Sequence, residues 1–143
     1  MNYYNEIKNK LIDNEVYKRV KDYSKNRNDL STYYEVGKLL ILAQGGEERA
    51  KYGDGLIKEY SIKLTNEMGK KYDITILKRI RQFYLVVEKG VPLAHQLTWS
   101  HYTEILSLSN INEINYSINI TEEYNLSVRE LRERLKKKNI KYY

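Results

Sequence analysis

Tyr72-Asp73-Ile74-Thr75-Ile76-Leu77-Lys78-Arg79-Ile80-Arg81-Gln82-Phe83-Tyr84-Leu85-Val86-Val87-Glu88 is the stretch on which the reading of the fold turns. Asp73 stands where a helix wants its N-cap, and apolar residues recur behind it at helical spacing, which predicts a helix over 74–88. With Leu77, Ile80, Tyr84 and Val87 inward, a rotation of about 100° per residue turns Thr75, Lys78, Arg79 and Gln82 outward. Arg81 falls at the border of the buried face, where it can brace an acid. A second stretch, Leu126-Ser127-Val128-Arg129-Glu130-Leu131-Arg132, repeats the order of apolar residue, capping residue, β-branched residue, Leu and base. Each copy comes after a helical pattern broken by a short polar turn. The chain therefore reads as two helix-turn-helix-like units, near 56–88 and 111–138. In such a unit the second helix can lie across a nucleic-acid groove.

The charge is concentrated on these two units. Residues 1–69 carry 12 bases and 11 acids, and residues 70–89 carry 6 and 2. Residues 90–125 hold no Lys or Arg and 4 acids, whereas residues 126–143 hold 7 bases and 2 acids. The net charge of +6 thus rests on the two units rather than on the whole chain. Segregated positive charge concentrates and steers a polyanion. A run such as Lys136-Lys137-Lys138 taken alone reads as an ordinary solvated helix face; two patches on similar units carry more.

Outward from the central stretch, residues 3–25 read as a helix burying Ile7, Leu11, Val16, Val20 and Tyr23. Asp29 is expected to cap the next helix, about 30–43, which presents Tyr33, Val36, Leu40 and Ala43 on one face and ends at Gly45-Gly46. A third begins near Glu47, buries Tyr52, Leu56, Tyr60 and Leu64, and stops at Gly69. After the break at Gly90-Val91-Pro92, Ser100 is expected to cap a short helix through Leu108, and Asn110 another over 111–123. Ser127 and Glu130 form a capping box of the S-x-x-E kind. Leu131 and Leu135 of that last helix face inward, leaving Arg129, Arg132 and Lys136 along a side suited to phosphates. No strand alternation persists for five residues, so the fold class is all-α: a single compact helical domain over 1–143, with a possible sub-boundary at 89–98.

A chain of 143 residues is long enough to bury about two thirds of its extended surface in one domain. Zero Cys removes disulfides and thiolate metal sites. The N-terminus lacks the apolar core of a signal peptide, and no run approaches the roughly 20 apolar residues that span a bilayer. A cytoplasmic location without membrane partners is the expectation. The 15 Tyr against a single Phe fit the coding bias of an AT-rich genome, so base stacking is not inferred from the count.

Five stretches occur in a fixed order: Tyr34-Glu35-Val36-Gly37-Lys38-Leu39-Leu40, Gly46-Glu47-Glu48-Arg49-Ala50-Lys51-Tyr52-Gly53, Leu77-Lys78-Arg79-Ile80-Arg81-Gln82-Phe83-Tyr84, Leu97-Thr98-Trp99-Ser100-His101-Tyr102 and Leu126-Ser127-Val128-Arg129-Glu130-Leu131. Together they resemble the N-terminal domain of the YhcG-type PDDEXK nuclease family, over roughly residues 5–135. In that family a helical domain regarded as nucleic-acid-binding precedes the nuclease. The chain departs from that pattern by ending at Tyr143, so the resemblance implies the helical module and not the cleavage activity.

Autonomous catalysis is not expected. A PD-(D/E)xK site needs clustered carboxylates to hold a metal and a Lys to assist water. Here the one Pro precedes Leu93, and the one E-x-K, Glu6-Ile7-Lys8, sits on an ordinary surface helix. His95 and His101 are six apart, a poor fit to one helical face. His101, beside Trp99 and Tyr102, reads as a satisfied structural His rather than an acid-base or stacking group, and Trp99 as a core anchor packed against the first unit. The glycines lack the Lys-Ser/Thr of a phosphate loop. No catalytic residue, metal ligand or cofactor is assigned.

Two function classes remain. One is a non-catalytic DNA-binding module, the targeting half of a nuclease system or a small regulator, with duplex DNA held by Thr75, Lys78, Arg79, Gln82, Arg129, Arg132 and Lys136. Arg and Gln make paired contacts to base edges, and Lys meets phosphate as a point charge. The other is a protein-interaction module: a subunit of a defence or restriction assembly, or a phage or mobile-element inhibitor of one, such as an anti-CRISPR protein. The acidic 90–125 segment motivates it.

Overall fold

A computed structural model describes residues 2–20, 25–47, 55–94 and 96–141. Every regular element among them is helical: α1 Tyr3–Val20, α2 Lys25–Ala43, α3 Gly55–Met68, a 3-10 turn Lys70–Tyr72, α4 Ile74–Glu88, α5 Trp99–Ile105, α6 Ile111–Glu123 and α7 Val128–Lys141. The all-α expectation holds. The chain divides into two units, Met1–Leu85 and Val86–Tyr143, with the division inside the last turn of α4.

In the first unit α1 lies against α2. The inward face of α1 is Tyr4, Ile7, Leu11 and Asn14, spaced three and four apart. Val16, expected inward, is 51% exposed, while Val20 and Tyr23 lie outside the described side chains. The face ends on a buried amide, and a buried amide needs a partner. Asn14 Nδ2 donates to Asp29 Oδ1 at 2.8 Å. This corrects the reading of Asp29 as a cap: α2 begins at Lys25, and Asp29 serves α1 from inside it. Ala43 closes α2, after which Gly46 N–H bonds to Ile41 O at 2.9 Å and Gly45 N–H to Leu42 O at 3.0 Å. Both glycines have positive φ, the conformation that lets a helix end this way.

Two carboxylates tie α1 to α3 and to the 3-10 turn. Glu67 of α3 accepts from Tyr4 Oη at 2.8 Å and pairs with Lys8. Glu15 accepts from Tyr72 Oη and Lys71 Nζ, each at 2.6 Å. The rings of Tyr4 and Tyr60 meet edge-on at 5.3 Å. α3 buries Ile57, Tyr60, Ser61 and Leu64, whereas Leu56 is only half-buried, and the expected helical residues 48–54, with Tyr52, lie outside the described residues.

α2 crosses α4 at Gly37. A Cβ at that position would lie 2.5 Å from Ile80 O and 2.6 Å from Tyr84 Cβ, so only a hydrogen fits. The rings of Tyr34 and Tyr84 lie beside the crossing, 5.1 Å apart.

In the second unit the end of α4 turns at Gly90, where Val91 N–H bonds back to Val86 O at 3.1 Å. The buried Tyr102 hydroxyl organises the loop before α5: it accepts from Ala94 N–H at 2.8 Å and donates to Pro92 O at 3.0 Å. α5 is capped by Thr98, not Ser100, and ends at Ile105 rather than Leu108. Trp99 is half-buried at its first position; Leu97, Tyr102 and Ile105 form the buried core there instead. Asn110 caps α6 as expected, its side chain accepting from Asn112 and Glu113 N–H.

Candidate nucleic-acid interface

The first candidate set stands on α4. Asp73 Oδ1 accepts from Ile76 N–H at 3.0 Å, which fixes the helix start that the sequence predicts. The buried face is Leu77, Ile80, Phe83 and Val86, so the expected inward Tyr84 and Val87 are half-buried and the face is rotated toward Phe83. Thr75 is exposed, whereas Lys78, Arg79 and Gln82 are half-buried rather than fully outward. Arg79 Nη1 donates to Gln82 Oε1 at 3.3 Å, which brings these two side chains together on one side of the helix. Arg81 does reach a partner at the border of the buried face, and one it finds is the amide of Gln44, 3.0 Å away.

The second set stands on α7. Its start is the expected capping box: Ser127 N–H bonds to Glu130 Oε1 at 2.9 Å, and Glu130 N–H to Ser127 Oγ at 3.1 Å. Hydrogen bonding from the Ser127 backbone N–H, and secondarily from the Ser127 side chain, holds the Glu130 carboxyl below its ordinary range. Leu131 is fully buried and Leu135 half-buried. Arg129, Arg132 and Lys136, at i, i+3 and i+7, line one exposed side.

Each of the three has a different electrostatic situation. Arg129 faces Glu133 at 3.7 Å with 87% and 61% of the two side chains exposed, a geometry worth little in water. Arg132 is engaged more firmly: Nε donates to Glu104 Oε1 at 2.9 Å and Nη2 to Oε2 at 3.4 Å. Hydrogen bonding to that carboxylate raises the guanidinium's pKa. Lys136 and its neighbour Lys137 are exposed. The first set belongs to the first unit and the second to the second.

Sequence reasoning missed what positions α7. His101 is 7% exposed and bridges two segments. Its Nε2 donates to Leu126 O at 2.8 Å, and its Nδ1 accepts from Thr98 N–H at 3.0 Å. His101 N–H in turn donates to Thr98 Oγ1, so a His fills the box position where Glu or Gln is the familiar signal. His101 is thus buried with a hydrogen bond at each ring nitrogen, as the structural reading expects. His95 lies outside the described residues. Among the described residues no three His, Asp or Glu side chains gather as a metal-binding group, and no helix is long and apolar enough to cross a membrane.

A family model, the DUF1016 N-terminal domain, matches residues 7–141. The chain belongs to that family. It is the N-terminal domain of YhcG/DUF1016 proteins, which is the relationship the five ordered motifs imply. The match takes in all seven candidate residues and both capped helices that carry them. No curated protein and no solved structure matches the chain.

Proposed function

We propose that this DUF1016 N-terminal domain is a non-catalytic DNA-binding module that serves as the targeting part of a PDDEXK nuclease system. The observation that carries the reading is the exposed row Arg129, Arg132 and Lys136 along a helix whose start is fixed by the Ser127–Glu130 box. Its charge is part of a surplus concentrated in residues 70–89 and 126–143. Phosphate contacts from such a row supply affinity and register, while the Arg79–Gln82 pair on α4 has the donor and acceptor groups that read base edges.

The experiment is duplex binding by fluorescence anisotropy over a series of salt concentrations. Each phosphate contact contributes about 0.9 to the slope of log affinity against log salt. Replacing Lys136 by Ala lowers that slope by about one on every sequence, while Arg79→Ala costs about 1–3 kcal/mol at a preferred site and flattens discrimination. A salt-independent affinity, or none at low salt, removes the reading.

A second reading, a protein-interaction module of a defence assembly or of a mobile-element inhibitor, is favoured by one observation. Glu122 and Glu123 are exposed at the end of α6, within the stretch that has no bases. Loss of DNA binding in all arms, with capture of a nuclease subunit, would transfer the role to that surface.

A further inference from the structure

We infer that Tyr124 and Arg134 form a platform for an unpaired nucleobase, on a flank of α7 distinct from the phosphate row. Tyr124 is 58% exposed, the more open of two largely exposed tyrosine rings among the described residues. The guanidinium of Arg134 lies over it, 5.2 Å from the ring centroid. At about 100° per residue from the buried Leu131, Arg134 and Lys137 project to one side of α7, and Arg129, Arg132 and Lys136 to the other. An aromatic ring with a guanidinium over it, on a helix flank that also carries an exposed Lys, is the chemistry that holds a base and its phosphate in single strands.

The turn that bears Tyr124 is fixed from three directions. Tyr124 caps α6, and Asn125 comes next at φ 49°, a left-handed conformation that Asn tolerates better than most residues. Leu126 N–H then bonds to Thr121 O at 3.0 Å, closing the helix end. Leu126 O is held by His101 Nε2, and Ser127 opens the α7 capping box. The backbone that carries the ring is settled before any ligand arrives, which lowers the ordering cost of binding.

The inference rests on the nucleic-acid part of the proposed function and goes beyond duplex phosphate contact. Its test uses the full chain against four labelled probes at one salt concentration: an oligo-dT strand, the matching oligo-U strand, an abasic strand of equal length, and a blunt duplex. Wild-type protein is expected to bind oligo-dT or oligo-U about tenfold more tightly than the abasic strand. Tyr124→Ala should erase that difference, while Tyr124→Phe and Tyr124→Trp keep it. Blunt-duplex affinity should change less than about twofold in all three variants, and circular dichroism melts confirm that they fold. The DNA and RNA arms decide which strand supplies the base. If Tyr124→Ala leaves the base-dependent difference intact, or weakens all four probes equally, the platform is wrong while the phosphate row stands. Retained Tyr124-dependent binding to single strands without duplex binding overturns the duplex reading and keeps the platform. Absence of binding to every probe overturns both.

Discussion

Arg132 and Glu104 meet as a two-point pair, with guanidinium Nε 2.9 Å from one carboxylate oxygen and Nη2 3.4 Å from the other. The base assigned to phosphate is therefore already answered by an acid of α5. A phosphate must displace that acid or share the guanidinium with it. Glu104→Gln is expected to raise duplex affinity about two- to fivefold, as befits an exposed charge pair, and to steepen the salt slope by up to about 0.9. The exposed Glu123→Gln, which changes net charge equally, is the control. Equal gains from both variants would mean that total charge, not release of Arg132, is responsible.

Gly37 should tolerate no side chain. In the interior of an exposed helix Gly→Ala stabilises by up to about 1 kcal/mol. Here the added methyl meets Ile80 O and Tyr84 Cβ, so the sign should reverse, with a loss of about 1–3 kcal/mol from overpacking. Urea unfolding of Gly37→Ala against the parent checks this, and a midpoint shifted upward would show that the α2–α4 crossing is looser than it looks.

His101→Ala removes a donor to Leu126 O and an acceptor for Thr98 N–H in one step. The expected loss is on the order of 2 kcal/mol, against about 1 kcal/mol for Thr98→Ala, which removes the capping hydroxyl and its contact with His101 Nδ1 but leaves the bond to Leu126 O. Thermal melts of the two variants rank the losses. A larger loss from Thr98→Ala would place the strength of this corner in the cap and not in the bridge to Leu126.

Acid should weaken the protein in part through Glu67 and Glu130. Hydrogen bonds from Lys8 and Tyr4, in that order, lower the pKa of Glu67, and Ser127 lowers that of Glu130. A carboxyl depressed on folding binds fewer protons in the native state than in the unfolded one. Its contribution is complete above the ordinary carboxylate range and is lost as pH falls through the depressed value. Glu130→Gln keeps an acceptor for Ser127 N–H but cannot titrate. The variant's urea midpoint should fall less steeply below the carboxylate range than that of the parent; parallel curves would contradict the assignment.

Ser117 Oγ is fully buried and has no hydrogen-bond partner among the described residues. Ser117→Ala deletes the stranded hydroxyl at little cost in volume. It should be neutral or stabilising by about 1 kcal/mol in a thermal melt, and a clear destabilisation would reveal a bond to that oxygen.

What the sequence discloses here is what is written in neighbouring residues. Asp73, Asn110 and Ser127 cap their helices through bonds two or three residues ahead, and Gly45-Gly46 ends α2 through its own backbone. The phase of α4 is less legible, because Phe83-Tyr84-Leu85-Val86-Val87 is apolar throughout and offers no polar residue to set the face. Asp29 misleads because its partner, Asn14, is on another helix. Thr98 and Ser100 are equal candidates by chemistry, and only the ring of His101 separates them. The candidate site divides the same way: spacing places Arg129, Arg132 and Lys136 on one side of α7, but Glu104, 28 residues before Arg132, is invisible to any local pattern.

The clamps on α1 bear on how the binding experiments can be run. Glu67 and Glu15 are each held by an ammonium and also by a phenol. Added salt weakens the ammonium half of each clamp by screening. The phenol half pairs an ion with a neutral dipole at hydrogen-bond distance and is far less affected. The first unit thus has a fastening whose strength does not track ionic strength. A titration to high salt should strip a polyanion from the basic helices before it loosens α1, so release and unfolding can be read as separate events on one sample.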